Sequence, residues 1–142
     1  MQSVNRPTVA VGSVVVDVAA DPHYFEAVVS EGELVFPTPQ PQPSQLQLSA
    51  QELHIGRTSE SRAIHPDIDV ARLTGDPAVS SRHAVIRREA DGTLTVTDVG
   101  STNGTYVGSP YNSPLPVGQP TLVPPGTPVF VGAWTRLVFS GA

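Results

Sequence analysis

The side chains best suited to chemistry in this chain gather in "VSSRHAVIRREADGTLTVTDVGSTNGTYVG", Val79 to Gly108. Ser80, Ser81, His83 and Asp98 are the residue types of a hydrolytic triad. No G-x-S-x-G elbow surrounds either serine, however, and a serine two or three residues before its histidine is badly placed for that histidine to reach it. His23, His54, His65 and His83 are scattered, without a zinc-binding spacing. Asp67 and Asp69 share one face of an extended segment but lack the further oxygen ligands that calcium takes. The eight basic residues are all arginine, so no phosphate loop ending in Gly-Lys is present. These observations set the expectation of no catalytic residue, no metal and no cofactor.

What remains is suited to holding an anion without reacting with it. Arg57 follows Gly56 at the end of "LHIGR", and a guanidinium offers a planar fork matched to phosphate oxygens. Ser80 and Ser81 offer hydroxyl donors. Thr102 and Asn103 sit in "STNG", a tight turn whose backbone N–H groups can point outward together.

The charge distribution fits the same chemistry. The formal net charge is −5. Six of the arginines (Arg57, Arg62, Arg72, Arg82, Arg87 and Arg88) fall between residues 57 and 88, where only Glu60, Asp67, Asp69 and Asp76 oppose them. An arginine-rich face on an acidic body suits a small anionic group and argues against nucleic acid as a partner. No stretch approaches the ~20 apolar residues of a membrane span, so no membrane insertion is expected. With no cysteine the chain has neither disulfides nor a thiolate nucleophile, which fits a reducing, cytoplasmic setting.

These residues need short strands to position them. Fifteen prolines and twelve glycines interrupt the chain too often for long helices. From residue 46 on, "QLQLSA", "ELHIGR", "DIDV", "HAVIRRE", "TLTVTDV", "GTYVG", "PTLV", "TPVFVG" and "TRLVFS" read as strands separated by turn residues. That spacing predicts an all-β antiparallel sandwich or barrel. Upstream, residues 1–8 read as a flexible tail. Residues 9–36 read as a strand-helix extension: "VAVGSVVVDVAA" is a strand, not a secretory leader, because Asp17 interrupts its valine-rich run. The short helix after it has Asp21 as N-cap, Pro22 first and Gly32 beyond its end. Residues 37–45, rich in Pro and Gln, read as a connector, and residues 46–142 as the main domain.

Taken together, Gly56-Arg57, Ser80-Ser81-Arg82-His83 and Asn103-Gly104 resemble the forkhead-associated (FHA) domain family. They are separated by 24 residues from Gly56 to Ser80 and by 20 from His83 to Asn103. The flanking "LHI", "AVI" and "GSTNGTYV" match as well, and the extension at residues 9–32 is similar to one in some actinobacterial members. The resemblance implies a β-sandwich of about eleven strands with one short N-terminal helix. It also implies that loops at one end bind phosphothreonine-containing proteins or peptides, downstream of a Ser/Thr protein kinase.

By position, the resemblance has Arg57 clamp the phosphate and Ser80 donate to it. Ser81 and Thr102 touch the ligand, and Asn103 holds the peptide backbone. Gly56, His83 and Gly104 become architectural, the histidine bracing the loops. The commoner family wording is Ser-Arg-x-His, whereas here the arginine, Arg82, comes one place later. On an extended backbone that shift reverses the side chain's face, so within "SSRH" the resemblance carries phosphate binding to the serines and not to Arg82. Ala78 stands where a charged residue often reads the peptide beyond the phosphate. A fold that has lost phosphate affinity and mediates phospho-independent protein contacts is the alternative reading. In either reading the extension would cover an exposed sandwich edge.

Overall fold

The computed structural model describes residues 13–28 and 34–141. The tail at 1–8, the start of the N-terminal strand at 9–12, and Gly32 beyond the helix lie outside the described residues. Within them are ten strands and two short helices. In chain order these are β1 (Val14–Ala20), α1 (Pro22–Val28), β2 (Ser44–Leu48), β3 (Glu52–Gly56), β4 (Ile68–Asp69), α2 (Val70–Thr74), β5 (Arg82–Arg88), β6 (Leu94–Asp98), β7 (Thr105–Val107), β8 (Thr121–Leu122), β9 (Pro128–Val131) and β10 (Thr135–Gly141). The strands form two five-stranded sheets, ordered β2-β1-β10-β9-β7 and β4-β3-β5-β6-β8.

Alternation along each strand creates the core between the sheets. Val14, Val16 and Val18 of β1 are buried together with Leu137 and Phe139 of β10 and Val129 and Val131 of β9. They meet Leu53 and Ile55 of β3, Ile86 of β5 and Val96 of β6 from the opposite sheet. Inward side chains at every second position are what a strand solvated on its other face requires. All pairings are antiparallel except β3 with β4, where Ile55 lies beside Ile68. Parallel neighbours cannot be joined by a hairpin, so the segment between residues 57 and 67 must cross over the end of the sheet.

Two expectations are revised here. The N-terminal strand does not cover a sandwich edge. It lies inside the first sheet, paired over Val14–Ala20 with β10 and over Val14–Val18 with β2. "DIDV" is a strand for two residues only, after which the chain turns into α2. Asp69 caps that helix, its carboxylate accepting from the Arg72 N–H at 3.1 Å, and Gly75 closes it at φ +74°. Asp at the start and Gly just past the end are the ordinary start and stop signals of a helix, present in "DVARLTG".

The first helix begins as the sequence predicts. The Asp21 carboxylate accepts from the N–H groups of His23 (2.8 Å) and Tyr24 (3.2 Å), and Pro22 occupies the first turn. Tyr24 is buried, its hydroxyl donating to the Gly132 carbonyl at 2.8 Å and its ring 4.9 Å from that of Phe130. Phe25 joins Phe36 and Trp134 instead. Both contacts fasten the helix onto the turn between β9 and β10. Tyr24→Phe keeps the ring and deletes the buried donor, so it should cost about 1 kcal/mol in urea unfolding. An unchanged midpoint would show that the hydroxyl contributes nothing to docking.

Candidate phosphopeptide-binding site

Three loops meet at one end of the sandwich: the crossover after β3, the segment from α2 to β5, and the turn from β6 to β7. Backbone contact joins the first two. The Arg57 N–H donates to the Ser81 carbonyl at 3.2 Å. A Cβ on Gly56 would stand 2.0 Å from that same carbonyl oxygen and 3.1 Å from that of Ser80. Glycine is therefore required by the close approach of the neighbouring chain and not by a turn.

His83 ties the second loop to the third. It is fully buried, its Nδ1 accepting from the Ser80 N–H at 3.1 Å and its Nε2 donating to the Gly104 carbonyl at 2.9 Å. One nitrogen must accept and the other donate, which fixes the neutral tautomer with the proton on Nε2. Burial lowers its pKa, against weaker opposing pulls from the Gly104 carbonyl and the carboxylates of Asp98 and Asp76. Neither ring nitrogen faces a serine hydroxyl. Asp98 bonds elsewhere too, so the three residue types of a triad are present but are not wired as one.

Asp98 instead organises the third loop. Its carboxylate accepts from the backbone N–H groups of Gly100 and Ser101 (2.8 and 2.9 Å), from the Ser101 hydroxyl and from the Thr105 hydroxyl (2.7 Å). Burial alone would push its pKa up, but these donors outweigh burial and hold it below the usual carboxylate range. Ser101 in turn accepts from the Gly104 N–H at 2.9 Å, and Gly104 adopts φ +89°, a conformation that favours glycine. Asp76 is the counterpart for the second loop. It is fully buried and accepts from the N–H groups of Ala78, Ala133 and Trp134 and from the Thr135 hydroxyl. Nothing in its sequence context marked it out.

On this base the expected ligand-binding groups converge. Arg57, Arg62, Ser80, Ser81, Arg82 and Thr102 line a depression of about 340 Å³. Arg57 spends only Nε on the protein, donating to the Val79 carbonyl at 3.1 Å. Its terminal nitrogens have no partner among the described residues. The Ser80 hydroxyl oxygen accepts from the Thr102 N–H at 3.0 Å, which leaves its own proton to be donated outward. Ser81 is mostly buried beneath them, at 5 % exposure. Asn103 stands beside the depression and not in it, its side-chain amide donating to the Ala78 carbonyl at 2.9 Å.

Arg82, set aside on strand alternation, lies in the lining. The pairing of β3 with β5 passes from Ile55–Ala84 directly to Gly56–Arg82, leaving His83 as the extra residue of a bulge. Consecutive His83 and Ala84 are both buried, so alternation fails at this point. A bulge beside a site re-aims side chains in this way. Among the described residues the arginine–carboxylate ion pairs are Arg87 with Glu52 and Arg136 with Asp21. Arg57, Arg62 and Arg82 thus face the depression with no carboxylate to neutralise them.

The chain matches the FHA domain family over residues 53–132 and belongs to that family. It is 37% identical over 87 residues to Protein FraH of Nostoc sp., covering 61% of this chain and 28% of that protein. It is 45% identical over 60 residues to the Oxoglutarate dehydrogenase inhibitor of Corynebacterium diphtheriae, covering 42% and 40% respectively. The aligned regions thus span well under half the length of either relative.

Among solved structures the fold is similar to the FHA domain of an Arabidopsis thaliana hypothetical protein, with TM-score 0.62, 18% identity, and coverage of 99% of this chain and 95% of that one. It is also similar to the yeast Pml1 splicing factor, with TM-score 0.61, 16% identity, and coverage of 92% and 80%. An FHA domain from a structural and functional study of phosphothreonine-dependent FHA interactions matches at TM-score 0.52, with 22% identity and coverage of 88% and 94%.

Two measurements check this architecture. Gly56→Ala should lose at least about 2 kcal/mol in urea unfolding, because backbone and not a movable side chain occupies the Cβ position. Thermal stability should fall as pH drops below about 6.5, where the unfolded histidine takes up a proton that buried His83 resists. In His83→Asn the slope between about pH 7 and about pH 5 should flatten. An identical slope would place the titration elsewhere.

Proposed function

We propose that this domain is a non-catalytic module that binds phosphothreonine-containing segments of partner proteins, the products of a Ser/Thr protein kinase. The observation that carries the reading is Arg57: anchored through Nε, with its remaining donors unpaired beside the outward-donating Ser80 hydroxyl. A phosphorylated threonine brings about −1.5 to −2 charges and three acceptor oxygens, a load matched by charge-assisted donors. Arg57 clamps the phosphate, Ser80 donates to it, and Arg62 and Arg82 add field. Thr102 lies at the rim, and Asn103 turns from the Ala78 carbonyl to the peptide backbone. Ser81, mostly buried, contributes from below. The phosphothreonine-dependent interactions of a structurally similar FHA domain support the same assignment.

Isothermal calorimetry with a phosphothreonine peptide and its unphosphorylated twin tests the reading. The phosphorylated form should bind and the other should not. Arg57→Ala should weaken binding by about 2–5 kcal/mol, since it removes one partner of a desolvated charge pair. Equal affinity for the two peptides would instead favour the phospho-independent contact surface.

A further inference from the structure

A second concavity, of about 390 Å³, adjoins the arginine-lined depression. It lies between the outer face of the β3–β5 sheet and the crossover after β3. Val85 faces outward here, between the inward Ala84 and Ile86. Ala63, Ile64 and Pro66 form the opposing wall, and Val99 the end nearest the arginines. Val99 is 42% exposed, and with Arg82 it borders both concavities. Ala63 holds φ +54°, a left-handed conformation uncommon for a residue with a side chain, and strain of this kind gathers at binding sites.

We infer that this groove takes an apolar side chain of the same phosphorylated segment, two residues from the phosphothreonine on the side away from Asn103. The inference rests on the phosphothreonine reading above. An extended peptide fixed by its phosphate must leave the depression either past Asn103 or over the Arg82–Val99 border. Alternate residues of an extended chain face the same way, so the second residue beyond that border is the one delivered to the groove. The lining is mostly apolar, with His54 and His65 among its side chains, and the Arg82 stem can cover the entering side chain while its head stays with the phosphate. The domain thereby reads a composite mark, a phosphothreonine with an apolar neighbour, even though Ala78 provides no charged contact on the other side.

An alanine-based phosphothreonine nonapeptide, carrying Leu, Phe or Asp at one position at a time, tests this by calorimetry. Leu or Phe at a single position two residues from the phosphothreonine should bind about tenfold tighter than Ala there, the gain expected from partial burial of one apolar side chain. Val85→Glu should abolish that preference and leave the affinity for the all-alanine phosphopeptide within about twofold. Val85→Thr, close in shape and well suited to a strand, should reduce the preference without disturbing the fold. Phospho-dependent binding with no apolar preference, or a preference that survives both substitutions, would overturn the groove assignment alone. Loss of phospho-dependence itself would overturn both readings. Concentration-dependent self-association through the groove would overturn it in favour of a second copy of this chain.

Discussion

The loop surface depends on one neutral imidazole. His83 bonds one loop through the Ser80 N–H and another through the Gly104 carbonyl, and both bonds exist only while a single proton sits on Nε2. A buried polar group is costly unless satisfied, and a satisfied one enforces a unique arrangement. His83 therefore links the spacing of Ser80 to that of Gly104 with less freedom than apolar packing would leave. Asp98 and Asp76 extend the principle by gathering backbone N–H groups of the same loops, and for Asp76 also of the β9–β10 turn, around buried carboxylates. None of the three touches the depression, and all three determine its shape.

That arrangement lets the binding groups remain unsatisfied. Arg57, Arg62 and Arg82 line a shared concavity, and none of them is paired with a carboxylate among the described residues. On the reading proposed above the site is pre-organised: donors already held in place lose little freedom when a phosphate dianion arrives. The Arg57 Nε bond to the Val79 carbonyl works the same way, fixing the side chain's stem while its fork stays open.

The sequence made the strand faces legible because alternation is local. It made Gly56, Arg57, Ser80, His83, Asn103 and Gly104 legible because their order and separation form a pattern larger than any one turn. It left other features unread for identifiable reasons. The helix at Val70–Thr74 carried its own cap and stop, but a five-residue helix has too little periodicity to outweigh a strand reading of "DIDV". Arg82 was placed on the wrong face because alternation assumes unbroken pairing, and the bulge at His83 breaks it. Asp76 could not be read as joining two loops, since beyond the Ala78 N–H its backbone donors lie 57 and 58 residues away in sequence.

The N-terminal strand shows how far the architecture reaches beyond the motif-bearing segment. The family match ends at residue 132, yet the first sheet continues through β10 and then β1. β1 supplies three fully buried valines to the core and hydrogen-bonds to strands on both sides. Its next element, α1, presses Tyr24 onto the Gly132 carbonyl, and the adjoining Ala133 and Trp134 N–H groups are held by Asp76. Asp76 also bonds the Ala78 N–H, in the loop that carries Ser80. A continuous chain of buried contacts thus runs from the first described strand to the loop that presents the site. The strand-helix segment is therefore part of what holds the loop carrying Ser80 in place.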